Sequence, residues 1–270
     1  MLRAHNAAMV GESLERVRAE GPVVHNITNY VVMNTTANAL LAVGASPVMA
    51  HSEREVEEMV ALARALVLNI GTLSDAWVAA MIQAGRTARS RGIPVVLDPV
   101  GAGATSYRTE TARRLLTEVS PTIVRGNASE IRALGGGGGG TRGVDSLHAA
   151  EESLEAARHL SEVFGCVVSV SGETDVIVAS EGVARVRNGV PLMTKVTGMG
   201  CTASALTGAF AAVSPSPFSA AAHAMVVLGV AGELAAERAA GPGTFQASLL
   251  DVLASLRPDE VDGRARLEGA

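Results

Sequence analysis

Residues 197–208 organise this chain, and they read Thr197-Gly198-Met199-Gly200-Cys201-Thr202-Ala203-Ser204-Ala205-Leu206-Thr207-Gly208. Two glycines flank Met199, and the small residues after Cys201 predict a helix that follows this turn. Glycine lets a backbone approach a ligand closely, and the first N–H groups of a helix lie unpaired at the positive end of its dipole. Gly198 and Gly200 therefore predict an anion hole for a phosphate or an oxyanion. The alternative is a tight turn before a core helix, with Cys201 as a small buried side chain.

Outside this turn, apolar strands alternate with segments of helical spacing. Runs rich in Val, Ile and Leu occupy residues 65–70, 93–97, 122–124 and 166–170. Near-continuous apolar strands separated by helices are typical of a parallel sheet that is buried on both faces. We therefore predict an α/β fold of three layers, with a central, mostly parallel sheet and helices on both faces. Residues 1–270 are expected to form a single domain, with a frayed polar tail from about residue 257.

Three polar residues, Asp98, Asn127 and Ser171, each come at the end of a predicted strand. Right-handed crossovers bring the C-terminal ends of parallel strands to one edge, so we expect these side chains to meet there, beside the glycine turn. Each also has a plainer interpretation, because Asp before Pro is a common turn former and Asn a common helix cap. The dense amides after the first strand, with Asn26 among them, either cap the next helix or line a pocket.

An acidic and a basic side chain lie close to Asn127 in the sequence. Glu130 falls on the first turn of the following helix, and Arg125 precedes Asn127 on the strand. Together with Asp98 they are typical of a phosphoryl-transfer site, in which carboxylates hold Mg²⁺ mostly through water and a helix terminus stabilises the transferring group. A guanidinium at position 125 suits a phosphate. The alternatives are an ordinary first-turn acid for Glu130 and a surface residue at a strand end for Arg125.

Composition and motifs argue against several classes of protein. With 22 Lys and Arg against 27 Asp and Glu, the net charge of −5 argues against nucleic-acid binding. No Gly-x-x-x-x-Gly-Lys-Ser/Thr occurs, so a P-loop NTPase is not expected. Two cysteines make no disulfide framework, which favours a cytoplasmic protein.

The apolar residues 218–238 are interpreted as a core helix rather than a membrane span or a subunit interface. Six consecutive glycines at residues 135–140 predict a mobile surface loop.

Four motifs, taken in order, resemble those of the ribokinase-like kinases: Asp98-Pro99-Val100-Gly101, Asn127-Ala128-Ser129-Glu130, Ser171-Gly172-Glu173 and Gly198-Met199-Gly200-Cys201. Two further stretches, Asn26-Ile27-Thr28-Asn29-Tyr30-Val31 and Gly44-Ala45-Ser46-Pro47-Val48-Met49, narrow the resemblance to the hydroxyethylthiazole kinase family of thiamin salvage. The resemblance covers about residues 20–255. It implies phosphorylation of the primary alcohol of 4-methyl-5-(2-hydroxyethyl)thiazole, with ATP as co-substrate and Mg²⁺ as cofactor. It also implies a homotrimer with active sites at the subunit interfaces.

The resemblance implies a role for each motif residue, and we list these roles by position. Met49, Gly198 and Asn26 are expected to bind the thiazole, Arg125, Ser171 and Asn127 to bind ATP, and Asp98 and Glu130 to organise Mg²⁺. Cys201 stands where most ribokinase-like enzymes have the Asp that acts as the base. A thiol pKa of about 8.5, lowered at a helix N-terminus, predicts a thiolate that accepts the alcohol proton. The alternative is that Cys201 only positions the alcohol.

Three other functions remain open on the sequence alone. A kinase for another vitamin precursor, such as a hydroxymethylpyrimidine or pyridoxal, shares the fold, but its relatives keep Asp at the position of Cys201. A lyase that repairs hydrated nicotinamide cofactors shares the fold and the glycine turn. A nucleotide-binding regulator without catalysis is the third, although intact Asp98, Glu130 and Cys201 argue against it.

Overall fold

The computed structural model describes residues 2–136 and 146–269. Most of the glycine run at residues 135–140 lies outside these ranges, so the surface loop expected there stays a prediction. Nine strands occur in the described residues: β1 (Val23–Ile27), β2 (Ser46–Val48), β3 (Ala65–Asn69), β4 (Val95–Asp98), β5 (Ile123–Asn127), β6 (Val167–Ser171), β7 (Asp175–Ala179), β8 (Gly182–Val186) and β9 (Leu267–Glu268).

Helices connect and cover these strands. They are α1 (Leu2–Glu20), α2 (Met33–Val43), α3 (Val56–Leu62), α4 (Asp75–Ser90), α5 (Ser106–Val119), α6 (Ala128–Leu134), α7 (Ser146–Phe164), α8 (Met199–Val213), α9 (Pro217–Arg238), α10 (Pro242–Ser255) and α11 (Pro258–Arg264). A short 3-10 helix, Pro191–Lys195, precedes the glycine turn. The helix predicted after that turn is α8, with Gly198 as its N-cap.

All nine strands belong to one sheet in the order β2-β1-β3-β4-β5-β6-β7-β8-β9. The strands from β2 to β6 in that order pair in parallel, and β7, β8 and β9 add antiparallel partners at one end. One apolar core lies between the sheet and α1, α2, α8, α9 and α10, and the other lies on the face covered by α4, α5 and α7. The predicted three-layer α/β fold with a mostly parallel sheet is confirmed.

The tail beyond residue 257 is ordered, so the prediction of a frayed end is wrong. Val261 on α11 is fully buried, and the Asp262 carboxylate accepts a hydrogen bond of 2.8 Å from the Gly11 amide of α1. The strand β9 then pairs with β8, with Leu267 opposite Val186. These partners lie far away in the sequence, and the polar composition of the tail alone does not reveal them.

The long apolar helix α9 lies in the core, as its composition predicted. Among the described residues it is the one helix with the length and hydropathy of a membrane span, and 89% of that window is buried inside the fold. Gly229 on this helix lies against Asn188, because a Cβ there would come within 2.7 Å of the Asn188 carbonyl carbon. The absence of a side chain at Gly229 thus lets α9 pack closely against the segment that follows β8.

Candidate active site

The polar residues predicted at strand ends meet at one edge of the sheet. Asn69 and Asp98 are the last residues of the neighbouring strands β3 and β4, and they are partners in the parallel register. The helix α8 packs across β1, β3 and β4, which brings its N-terminus to the same edge. The site therefore forms between strand ends and a helix start that are about 100 residues apart in the sequence.

Asp98 is buried and held by side chains. Its Oδ2 atom accepts a hydrogen bond from Asn69 Nδ2 at 2.8 Å and another from Ser204 Oγ at 2.7 Å. Burial raises the pKa of Asp98 to about 6, and the Glu130 charge adds to this, while Arg125 and the two hydrogen bonds oppose it. Burial thus disfavours the ionised form of Asp98, and a nearby cation would stabilise that form.

Two asparagines connect Asp98 to the thiol of Cys201. Asn69 Oδ1 accepts hydrogen bonds from Asn29 Nδ2 at 2.8 Å and from the Gly71 amide at 3.0 Å. Asn29 Nδ2 also donates to Cys201 Sγ at 3.5 Å. Since Asn29 and Asn69 are both buried, the contacts form one continuous network from the partly buried thiol to the carboxyl group. We call Asn29, Asn69, Asp98, Cys201 and Ser204 the amide network.

Sequence reasoning missed two members of this network. Asn69 ends an apolar strand in the same way as Asp98, so the rule that identified Asp98 applies to it as well. Ser204 lies one helical turn beyond Gly200, and its hydroxyl also lies 3.3 Å from the Gly200 carbonyl. Its spacing from Cys201 places it on the sheet side of α8, but only the fold shows that Asp98 is its partner.

The thiol of Cys201 keeps its proton at neutral pH. Burial raises its pKa to about 11, and the Asp98 charge adds to this, whereas the two asparagine contacts and Arg125 act in the opposite direction. The expectation of a thiolate at a helix N-terminus is therefore wrong. Desolvation, with the neighbouring carboxylate of Asp98, outweighs any effect of the helix dipole on this thiol.

The glycine turn lies at the N-terminus of α8, the place in which the sequence predicts an anion hole. Gly198 has a left-handed φ of 80°, and a Cβ there would lie 2.6 Å from Val32 Cγ1, so both conformation and space require glycine. Arg125 Nη1 donates to the Gly200 carbonyl at 3.0 Å. Arg125 is only 5% exposed, and its buried Nε has no partner among the described residues. The interpretation of Arg125 as a surface residue is thus excluded, and its guanidinium lies at the start of α8.

Glu130 is held by backbone amides rather than by side chains. Its Oε2 accepts from the Asn127 amide and its Oε1 from the Gly101 amide, both at 2.8 Å. Asn127 Oδ1 accepts in return from the Glu130 amide at 3.0 Å, which completes a capping box at the N-terminus of α6. The capping role proposed as the plainer alternative is real, and Glu130 also joins α6 to the loop after β4. The negative charge of Glu130 also raises the pKa of Asp98.

Two carboxylates of this kind fit a hydrated magnesium ion. No group of three or more His, Cys, Asp or Glu side chains in the described parts of the chain is arranged to hold a metal directly. Mg²⁺ usually keeps several water ligands and binds through one or two carboxylates plus substrate phosphates. Asp98 and Glu130 match that donor set, and the Glu130 charge adds to the burial that raises the pKa of Asp98.

The remaining predicted residues do not join the amide network in the described structure. Ser171 is the register partner of Asn127 on β6, and its hydroxyl donates to the Gly126 carbonyl at 3.3 Å. Asn26 on β1 donates from Nδ2 to the Val24 carbonyl at 2.9 Å, and its buried Oδ1 has no partner among the described residues. Met49 is half-buried just after β2. The next residue, Ala50, is held through its carbonyl by His25 Nε2 at 2.8 Å.

A sequence model of the Hydroxyethylthiazole kinase family matches residues 14–259. The chain belongs to the hydroxyethylthiazole kinase family. It is 57% identical over 256 residues to a hydroxyethylthiazole kinase of Syntrophus aciditrophicus, a match that covers 94% of this chain and 95% of that protein. The structure of a hydroxyethylthiazole kinase from Pyrococcus horikoshii superposes with a TM-score of 0.89 at 43% identity, covering 96% of this chain and 98% of that one.

More distant structures share the fold alone. A ribokinase-like superfamily protein from Enterococcus faecalis superposes with a TM-score of 0.62 at 14% identity, covering 91% of this chain and 89% of that one. The ribokinase-like architecture predicted from the sequence is therefore confirmed. Membership of the hydroxyethylthiazole kinase family makes the chain a phosphotransferase, and it confirms the family that the six motifs indicated.

Proposed function

We propose that this protein transfers the γ-phosphoryl group of ATP to the primary alcohol of 4-methyl-5-(2-hydroxyethyl)thiazole, giving the thiazole phosphate for thiamin salvage. The observation that carries the proposal is the convergence of two carboxylates and a glycine-led helix terminus at one sheet edge, within a chain of this family. That arrangement supplies the two requirements of phosphoryl transfer, which are positioning and stabilisation of charge.

The start of α8 is proposed to receive the transferring phosphoryl group. The backbone amides at Gly198 and Gly200 lie at the positive end of a 15-residue helix, where developing negative charge is stabilised. Arg125 adds a cation, since its guanidinium is bonded to the Gly200 carbonyl. Ser171 and Asn127 lie side by side at the ends of β6 and β5, which supports their proposed contact with ATP.

Asp98 and Glu130 are proposed to hold Mg²⁺ through its water ligands. When bound, the ion would neutralise charge on the ATP phosphates and orient them toward the alcohol. The residues of the chain fix the place of the ion. Asn69 and Ser204 orient the Asp98 carboxyl group, and the Gly101 and Asn127 amides orient that of Glu130.

Cys201 is proposed to contact the alcohol as a protonated thiol. With a pKa of about 11 it is a poor proton acceptor at neutral pH, so its role is to orient the hydroxyl group. Since the transition state of phosphoryl transfer is loose, correct alignment of the alcohol matters more than a strong base. Met49 and Asn26 are proposed to complete the thiazole pocket, as the family resemblance implies.

The proposed assembly is a homotrimer with active sites between subunits, located in the cytoplasm. Large apolar side chains are exposed beside the site, with Tyr30 at 67% and Val31 at 63%. These residues follow Asn29 of the amide network, so a neighbouring subunit that covers them would also close the site. Both cysteines are free thiols, which agrees with a reducing compartment. Light scattering coupled to gel filtration tests the trimer.

A coupled assay of ADP release tests the proposed reaction. The purified protein is incubated with ATP and Mg²⁺ and, in separate reactions, with hydroxyethylthiazole, hydroxymethylpyrimidine and pyridoxal. We expect turnover with hydroxyethylthiazole and a phosphate ester as product by mass spectrometry. Preference for either other alcohol, or dehydration of a hydrated nicotinamide cofactor without a phosphorylated alcohol, would reject the proposal.

A further inference from the structure

Arg108, in the first turn of α5, binds three backbone carbonyl groups from two loops. Its Nη1 donates to the Ile70 carbonyl at 2.9 Å and to the Val100 carbonyl at 2.7 Å, and its Nη2 donates to the Gly71 carbonyl at 2.7 Å. The first and third of these carbonyls lie in the loop after β3, and the second lies in the loop after β4. Arg108 forms no ion pair with a carboxylate in the described parts of the chain.

The loops fit the guanidinium closely. Gly101 has a left-handed φ of 76°, and a Cβ there would lie 3.0 Å from Arg108 Cδ. The rigid, planar guanidinium presents several N–H donors in one fixed geometry, so it can serve three acceptors at once. A lysine ammonium is a point charge on a flexible stem and does not reproduce this arrangement.

The two loops that Arg108 joins also hold the two carboxylates of the site. The Val100–Gly101 peptide group accepts from Arg108 through its carbonyl and donates through its N–H to Glu130 Oε1 at 2.8 Å. The Ile70–Gly71 peptide group likewise accepts from Arg108 and donates through its N–H to Asn69 Oδ1 at 3.0 Å. Asn69 in turn donates to Asp98. One guanidinium is thus linked through two peptide groups to both Glu130 and Asp98.

We infer that Arg108 is a positioning residue that sets the relative placement of Asp98 and Glu130, and thereby the affinity of the site for Mg·ATP. The inference rests on the proposed roles of these two carboxylates. Arg108 touches neither the carboxylates nor any proposed substrate contact, so it acts only through the peptide groups. Its polarisation of each carbonyl also strengthens the N–H donor on the other side of the same peptide group.

The test compares Arg108→Ala and Arg108→Lys with the matched control Arg113→Ala. Arg113 lies on the same helix and also donates to a backbone carbonyl, that of Ala133 at 3.1 Å, but away from the site. For both Arg108 variants we expect kcat to fall about 10- to 100-fold, the range measured for residues that orient metal ligands. The KM for the thiazole should stay within about threefold, and Arg113→Ala should behave as wild type.

Two further measurements separate positioning from simple stability. Titration calorimetry of Mg·ATP onto the resting protein should show a Kd raised about tenfold in the Arg108 variants. Methylguanidinium, added below the concentration that lowers Tm, should restore part of the activity of Arg108→Ala but not of Arg108→Lys. Should Arg108→Ala fail to fold, Arg108→Lys carries the comparison of kcat and Kd.

Unchanged kcat and Mg·ATP affinity in a folded Arg108 variant would overturn the inference. A loss that follows Tm alone and disappears on cooling, with no change in Kd, would overturn it as well. Failure of the proposed function looks different, because the wild-type protein itself would then release no ADP with the thiazole.

Discussion

The surroundings of Asp98 and of Glu130 hold the two carboxyl groups of the site in opposite ways. Asp98 receives both of its hydrogen bonds on one oxygen, from the side chains of Asn69 and Ser204. Glu130 uses both oxygens, each on a backbone amide. The first arrangement leaves Oδ1 of Asp98 without a hydrogen bond from the described residues, whereas the second gives each oxygen of Glu130 one backbone donor and leaves its other lone pairs for water. Asp98 thus keeps one oxygen open to a ligand, whereas Glu130 also holds two segments of chain together.

An amide in place of each acid separates these two roles. An asparagine at position 98 can still accept both hydrogen bonds through its carbonyl oxygen. A glutamine at position 130 must turn its NH₂ group toward a backbone N–H, because both positions face donors. The same chemical change should consequently have opposite effects on stability at the two sites.

The largest expected effect is on catalysis at Asp98. Asp98→Asn removes the charge proposed to hold Mg²⁺, and we expect kcat to fall by about 10³-fold, equivalent to about 4 kcal/mol of transition-state stabilisation. Steady-state ADP release measures it, with the exposed Asp251→Asn on α10 as control. Retention of more than a tenth of the wild-type rate would break the assignment of Asp98 to the metal.

The second effect is a gain in stability from the same variant, and it depends on pH. Burial raises the pKa of Asp98 from 3.8 to about 6, so the folded state binds this proton more tightly than the unfolded state. Between these pH values the free energy of unfolding of the wild type falls as pH rises, by up to about 3 kcal/mol. Asp98→Asn has no carboxyl group at this position, so its free energy of unfolding does not fall in this way as pH rises. Urea unfolding in EDTA should show the variant more stable at pH 7 and equal at pH 4; no pH dependence of the difference would contradict the comparison.

The third effect has the opposite sign. Glu130→Gln should lower the free energy of unfolding by about 1–3 kcal/mol, because a buried backbone N–H loses its acceptor and the capping box opens. Glu152→Gln is the control, since the exposed Glu152 forms an ion pair with Arg132 at 3.0 Å and no other among the described residues. We expect that control to change stability by less than about 1 kcal/mol. A Glu130→Gln protein as stable as wild type would show that the two carboxylates are held alike.

The smallest effect concerns the thiol at the far end of the amide network. Cys201→Ala should lower kcat about tenfold, the equivalent of one hydrogen bond to the alcohol, while Cys201→Asp should retain or raise it. Cys166→Ala is the control, because Cys166 is buried in the core and its pKa is raised to about 12. Iodoacetamide should label Cys201 slowly at pH 7.5. Equal rates for Cys201→Ala and wild type would remove Cys201 from the reaction.

Local patterns predict part of the candidate site. Asp98, Asn127 and Ser171 are expected together because each ends an apolar strand and parallel strands end at one edge. Gly198 and Gly200 are expected to form an anion hole because they precede a helix. The ionisation of Cys201 was predicted wrongly, since a thiol pKa depends on the groups that enclose it, and Asp98 and Asn29 lie 103 and 172 residues away.

By itself the sequence determined the α/β class, the mostly parallel sheet and the edge that carries the chemistry, because hydrophobic periodicity and the handedness of crossovers act over short stretches. Only the tertiary structure decided the pairing of β9 with β8, the places of Asn69 and Ser204 beside Asp98, and the contact of Arg108 with two loops. Each of these depends on which distant segments meet after folding, and side chains that donate to backbone carbonyls or to other side chains leave no periodic pattern in the sequence.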